Sequence, residues 1–320
     1  MTPVLIDCDP GIDDTLALLY LAGLHRAGEI ELVGVTTTAG NTTAEQAAGN
    51  ARWVLDKMLI DVPVLPGRPH PASTPLVTTP ETHGPTGLGY LDVPAATASA
   101  ASAAADGEGW AGMWAGNVDK HPDLHLIVTG PLTNLDAFRT SHPEHYARIA
   151  KITVMGGAVN YRGNTTPTAE WNFWVDPHAA AGVFEHPPTA KVTLCSLEVT
   201  ERFLIDPPRL ASLVDALAGH PMAEHLPDIL RFYFEFHEAQ GEGYQAQIHD
   251  LLTCMIALRA IAFEDISTTI AVEAHSELLR GTSVADLRGH WDRSHNARLV
   301  TDVDIDAAHR EFLRAVGELA

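Results

Sequence analysis

Asp7, Asp9, Asp13 and Asp14 stand within eight positions in the stretch Asp7-Cys8-Asp9-Pro10-Gly11-Ile12-Asp13-Asp14. Carboxylates held a few Å apart repel one another, at a cost of several kcal/mol, unless a cation or a shared proton lies between them. A hard divalent cation resolves that conflict, because it takes oxygen ligands of this type. A solvated acidic turn is the plain alternative. An EF-hand loop is excluded, since its closing Glu would fall eleven residues after Asp7, at Leu18.

A phosphotransferase of the haloacid dehalogenase type also opens on a strand with Asp-x-Asp. It needs Thr or Val two residues beyond the second Asp, where this chain has Gly11.

The elements around the acidic stretch decide where it sits. Val4-Leu5-Ile6 reads as a buried strand, Pro10-Gly11 as a tight turn, and Thr15 to Ala22 as a helix. A second strand, Ile30 to Thr36, runs into Thr37-Thr38-Ala39-Gly40-Asn41, and a helix from about Thr43 follows, with Ala47, Ala48, Ala51, Val54 and Leu55 inward. Val62 to Leu65 is a short strand. This alternation is the rhythm of a parallel sheet with right-handed crossovers. Residues 66–108 read as a long surface excursion with at most one weak Ala-based helix near Ala95 to Ser102, and they carry His83-Gly84-Pro85-Thr86-Gly87-Leu88-Gly89.

Trp110, Met113, Trp114 and Val118 share one helical face and are read as core. Strands are expected at Leu124 to Thr129, Ile149 to Met155 and Val192 to Cys195. Asp176-Pro177 should open a helix, with Asp as cap and Pro in the first turn. Helices fill much of 206–263, with His249-Asp250 near the start of the last. Later strands are expected at Thr268 to Val272 and Ala297 to Thr301, and Asp306 is expected to cap a terminal helix carrying Phe312, Leu313 and Val316. The fold expected is α/β: one domain, 1–320, with a central, mostly parallel, Rossmann-like open sheet flanked by helices and a small antiparallel addition near the C-terminus.

Composition narrows the function. The chain has 320 residues, 46% of them hydrophobic and 19% charged, as in globular proteins. A formal charge of −21 argues against a nucleic-acid polymer as partner, because phosphate backbones need basic surface. A neutral nucleoside meets no such penalty. No run of about 18 apolar residues predicts a membrane span. Met1-Thr2-Pro3 leads directly to the first strand without the basic region of a secretion signal. Cys8, Cys195 and Cys254 are isolated, suiting a reducing cytoplasm and suggesting neither zinc nor disulfides.

In open parallel sheets, ligands bind outside the carboxyl ends of the strands. Asp7 to Asp14, Asn41, Thr129 and Met155-Gly156-Gly157 all lie at such exits. With these, the order Asp-x-Asp-Pro-Gly-x-Asp-Asp, Thr-x-x-Gly-Asn, His-Gly-x-x-Gly-Leu, Thr-Gly-Pro-Leu-Thr-Asn, Met-Gly-Gly, Asn-x5-Glu-x-Asn and His-Asp resembles the nucleoside hydrolases, the inosine–uridine-preferring N-ribohydrolases, along nearly the whole chain. The resemblance implies Ca²⁺ held by Asp9, Asp14, Asp250 and the main-chain oxygen of Thr129. It implies a ribose held by Asp13, Asn41, Asn164, Glu170 and Asn172, with His83 and Met155 also at the substrate. Taken singly, Asn41 and Asn164 are more often turn residues.

The reaction implied is nucleoside plus water giving free base plus ribose, with Asp9 as general base and His249 as the acid that protonates the departing base. Tyr233 and His237, one helical turn apart among Phe232, Phe234 and Phe236, are further candidates for the base side, though core packing explains them equally well. Departures from the family pattern fall on that side: Thr86, Gly89-Tyr90 and Trp171, with no Arg just before His249. The family also implies a homodimer or homotetramer and a role in nucleoside salvage. Two other classes stay open here: a catalytically silent nucleoside- or ribose-binding protein, and a metal-dependent phosphatase, for which Arg162 is the nearest candidate phosphate ligand.

Overall fold

A computed structural model describes residues 1–95, 109–188 and 192–320. In chain order the strands are β1 (Thr2–Cys8), β2 (Ile30–Thr37), β3 (Val64–Pro66), β4 (His125–Val128), β5 (Lys151–Met155), β6 (Val192–Cys195), β7 (Leu204–Ile205), β8 (Ala246–Gln247), β9 (Phe263–Thr268), β10 (Ile270–Val272), β11 (Ser283–Ala285) and β12 (Ala297–Val303). Among the described residues the main sheet has eight strands in the order β3-β2-β1-β4-β5-β6-β12-β9, and β7-β8 and β10-β11 form separate pairs. The sheet is parallel except where β9 runs antiparallel along β12. The mostly parallel α/β architecture with a small antiparallel addition is therefore the observed one.

Register sets the level of the site. Asp7 pairs with Thr36 on one side and Val128 on the other, and Met155 pairs with Cys195. The residues just beyond these pairs thus emerge at one edge. Strand order reverses direction between β1 and β4, so their following loops diverge and leave a crevice, the switch point at which such sheets bind ligands. The acidic stretch leaves β1 there, and Thr129 leaves β4.

The helix Ile12–Arg26 holds the acidic stretch from behind. It is buried from Ile12 through Leu24, and a Cβ on Gly23 would collide with the backbone oxygen of Ala315 in the terminal helix Ile305–Gly317. An element buried all round packs on every side and has little freedom to move its first turn, where Asp13 and Asp14 sit. On the other face, Trp110 and Trp114 are buried against Phe138, with ring centroids 5.3 and 5.2 Å apart along the series. Trp114 Nε1 donates to Thr36 Oγ1 at 3.1 Å, so this stripe is core, as its spacing predicts.

Three local expectations need adjusting. The strand expected over Thr268 to Val272 breaks at Thr269 into β9 and β10. The Asn296 side chain accepts from Ile270 N and donates to Ile270 O, both at 2.8 Å, standing in for a ladder partner. The cap of the terminal helix is Asp304, whose side chain accepts from Ala307 N at 2.9 Å; Asp306 lies inside the first turn, where its charge still suits the helix N-terminus. The Ala-based helix expected near Ala95 to Ser102 lies, from residue 96, outside the described residues. Asp176 caps Pro177–Glu185 as expected, accepting from Ala179 N at 3.0 Å.

Candidate active site

A cavity of about 360 Å³ opens at the switch point. That volume suits a small molecule of nucleoside size. Its acidic end comes from two helix starts, Ile12–Arg26 and His249–Ala257. Ligand oxygens of Asp13, Asp14 and Asp250 all lie within 4.8 Å of one another, and all three residues are buried. Asp14 Oδ1 accepts from Thr129 Oγ1 at 2.9 Å and Oδ2 from Gly11 N at 3.1 Å.

Asp9 stands beside this trio rather than in it. Its Oδ2 accepts from Asn41 N at 2.7 Å. Gly40 and Gly130 flank its carboxylate so closely that a Cβ on either would collide with it. Two glycines are required here because the backbone approaches the acid.

Electrostatics repeats the question posed by the sequence. Burial pushes Asp13 up to about 7, helped by the charge of Asp14. Burial raises Asp14, and holds Asp9 and Asp250 well above the carboxylate range, with neighbouring acids adding to it: Asp14 at Asp9, Asp13 at Asp250. The Asp13 and Asp250 carboxylates stand close together, and two ionised carboxylates at that separation repel unless a proton or a cation lies between them. Asp13 Oδ1 is buried with no partner. Unspent hard oxygens of this kind fit a divalent cation, and Thr129 lines the same cavity.

Beyond the acids lie the polar side chains. Asn172 Nδ2 donates to Thr129 O at 2.7 Å and to Met155 O at 3.3 Å, bridging the exits of β4 and β5. Glu170 caps the short helix Trp171–Val175: Oε1 accepts from Asn172 N at 2.8 Å, and Oε2 from Gly157 N at 2.8 Å and Phe173 N at 3.1 Å. Gly157 presents that N–H from a left-handed φ of 74°, which favours glycine. Burial pushes Glu170 up to about 7 despite these donors. Asn164 Oδ1 accepts from Trp171 N at 3.0 Å. Asn41, Met155, Asn164, Glu170 and Asn172 all line the cavity, as do Asp13, Thr129 and Asp250.

Histidines and aromatics build the rest of the wall, with His83 and His249 next to the acidic helix starts. His83 ends the short helix Pro80–His83, and its Nδ1 accepts from Ile12 N at 3.1 Å. Tyr233 and His237 come from the helix Met222–Ala239, with ring centroids 4.5 Å apart, and the Tyr233 ring lies 5.2 Å from that of His83. His249 Nδ1 is 2.9 Å from Thr200 Oγ1. Burial, with the neighbouring histidines adding to it, lowers His83 and His249 to about 3, so both rings are neutral. Tyr233, His83, His237 and His249 line the cavity.

Several residues of the cavity carry no signal in the sequence. Gln240, Glu242, Gln247, Glu201 and Thr79 also line it. Asn50, from the helix Ala44–Lys57, donates to Pro10 O at 2.9 Å and Thr86 O at 2.7 Å, tying the acidic turn to the His83 loop. Helical periodicity marks Asn50 as inward-facing, and a buried amide on an Ala-rich face is the one clue available. Arg162 reaches the rim, where its NH2 group lies 2.9 Å from Glu201 Oε2 and 3.6 Å from Glu242 Oε1. Two carboxylates thus neutralise the nearest candidate phosphate ligand.

Residues 4–310 match the family described as inosine-uridine preferring nucleoside hydrolase. The chain is similar to the pyrimidine-specific ribonucleoside hydrolase RihA of Enterobacter sp. (strain 638), with 31% identity over 307 residues, 94% of this chain and 93% of the relative. It is similar to the enzyme of that name from Klebsiella pneumoniae, with 32% identity covering 95% of each chain. Among solved structures, a purine-preferring ribonucleoside hydrolase from Gardnerella vaginalis superposes with a TM-score of 0.86 at 27% identity, covering 99% of this chain and 98% of that one.

Proposed function

The chain belongs to the inosine-uridine preferring nucleoside hydrolase family, and from that premise we propose a Ca²⁺-dependent ribonucleoside hydrolase serving nucleoside salvage. Members of this family split the N-glycosidic bond of ribonucleosides. The observation that carries the metal reading is the trio Asp13, Asp14 and Asp250, buried at the switch point with an oxygen of Asp13 unpartnered. Asp9, Asp14, Asp250 and the Thr129 carbonyl would hold the ion, which when bound supplies Lewis-acid activation of water at neutral pH.

The chain's own groups do the rest. Asp9, aimed by Asn41 N–H, takes a proton from the attacking water. Asp13, Asn41, Asn164, Glu170 and Asn172 hold the ribose, and Asn172 fixes the Thr129 carbonyl beside it. The bond from C1′ to the base nitrogen breaks, a bond from C1′ to the water oxygen forms, and the base leaves with a proton. Nearby carboxylates stabilise the positive charge gathering on the sugar. The family match over 4–310 supports reading 1–320 as one domain. The resemblance supports a homodimer or homotetramer, and the isolated cysteines suit a reducing cytoplasm. Among the described residues no helix is long and apolar enough to cross a membrane.

Ribose release from inosine, uridine, adenosine and inosine monophosphate tests this reading. Release from one or more nucleosides is expected; release from the monophosphate alone would sink it. The relatives' names point to opposite base classes, pyrimidine and purine, so the assay also sets base preference.

The acid is assigned to His249, next to Asp250 and held by Thr200; its ring is neutral, so it must take up a proton with the substrate before giving it to the departing base. Protonating a poor leaving group contributes about 10²–10⁴-fold. His249→Ala is expected to slow inosine by that factor and to spare p-nitrophenyl riboside, whose phenolate leaves without a proton. Equal loss on both substrates would move the acid to Tyr233 or His237.

A further inference from the structure

His237 is held in one tautomer by a residue outside every motif. Its Nδ1 lies 2.7 Å from Glu242 Oε2, in the turn after its own helix, where Glu242 N also donates to His237 O at 2.9 Å. Gln247 Nε2 donates to the same Oε2 at 3.2 Å, and the Arg162 guanidinium stands 3.6 Å from Oε1. A carboxylate facing three donor groups is an acceptor only, so His237 Nδ1 must carry the proton. Nε2 is then a bare lone pair. It is buried, it has no partner, and its ring lines the cavity beside Tyr233. Burial lowers the pKa of the ring although Glu242 works the other way, which keeps it neutral.

We propose that Glu242 is a positioning residue that fixes His237 as a hydrogen-bond acceptor for a lactam N–H of the substrate base. The inference rests on the ribohydrolase reading and names the class of base it favours: one with an N–H on the edge away from the sugar, as in uracil and hypoxanthine. A buried acceptor left without a donor penalises a base that lacks one. His83 complements it. Because Ile12 N–H donates to Nδ1, His83 carries its proton on Nε2 and is a donor in the cavity wall, also beside Tyr233.

The test compares kcat/KM for uridine with 3-methyluridine, and for inosine with 1-methylinosine, in wild type, Glu242→Leu and Glu242→Gln. Each ratio is taken within one preparation, so the fraction of folded enzyme cancels. In wild type the N–H substrate should be favoured about tenfold or more, mainly through KM. Glu242→Leu removes the acceptor that fixes the tautomer, and the preference should fall to about threefold or less. Glu242→Gln keeps an oxygen acceptor and should restore most of it. Turnover of p-nitrophenyl riboside, which has no base N–H, should change less than about twofold in either variant. A preference that survives Glu242→Leu unchanged, a wild type without preference, or equal loss on the nitrophenyl compound would overturn the proposal. Failure of the underlying reading is distinct: wild-type enzyme would release no ribose from any of these compounds.

Discussion

Without metal, Asp14→Asn is expected to melt at a higher temperature than the wild type, and with Ca²⁺ added the order should reverse. Asp9, Asp13, Asp14 and Asp250 are all buried, and burial raises the pKa of each. Unless a cation is present, they must share protons or repel. Removing one charge relieves about 1–3 kcal/mol of that conflict. Asn keeps the shape, and its oxygen still accepts from Gly11 N while its NH2 group donates to Thr129 Oγ1, whose hydroxyl hydrogen turns away. With Ca²⁺ at a hundred times its dissociation constant, the wild type gains about 2.7 kcal/mol. The variant, short of a charged ligand, gains far less. Thermal melts in chelator and in Ca²⁺ read both signs without reference to turnover. Ribose release should fall about 10³-fold in Asp14→Asn and further in Asp9→Ala, which loses a ligand and the base together. Full activity of Asp14→Asn in chelator would end the metal reading.

What the chain declares in one dimension is the edge of the sheet. Val4-Leu5-Ile6 followed by Asp7 to Asp14, and Met155 followed by Gly156-Gly157, are apolar runs that stop at polar groups. Parallel register then brings all such stops to one level, as the pairing of Asp7 with Thr36 and Val128 does. Residues on separate helices and turns have no such mark. Glu242 meets His237 because its turn folds back on the helix, and Glu201 meets Arg162 across 39 positions of sequence. Nothing local to either residue signals those meetings. The break at Thr269 is similar, since it depends on Asn296 arriving from a distant segment. The shift of a cap from Asp306 to Asp304 is a different case: both are good cap residues two positions apart, and residue type alone does not choose between them. Asp9 shows the limit from the other side. Its motif marks it as part of the site, but only the approach of Gly40 and Gly130 fixes its carboxylate next to Asn41.

Discrimination against deoxyribonucleosides should be about 10⁴-fold in kcat/KM. Asp13 Oδ1 is buried without a partner on a residue that lines the cavity. A ribose 2′-hydroxyl supplies the missing donor, and its oxygen remains free to meet a cation held by Asp14 and Asp250. A deoxyribose supplies neither, so an acid and an ion stay desolvated with nothing in return. The size of that penalty, rather than the loss of one ordinary hydrogen bond, is what makes the expected factor large. Uridine and 2′-deoxyuridine, or inosine and 2′-deoxyinosine, give the measurement directly. Asp13→Ala sharpens it: the variant should lose most on the ribonucleoside and little on the deoxyribonucleoside, so the gap narrows by about 10–10²-fold. An Asp13 that acted only by shaping the acidic trio would lower both substrates alike and leave the gap as it was. Comparable kcat/KM for uridine and deoxyuridine in the wild type would mean that the ribose does not sit against Asp13.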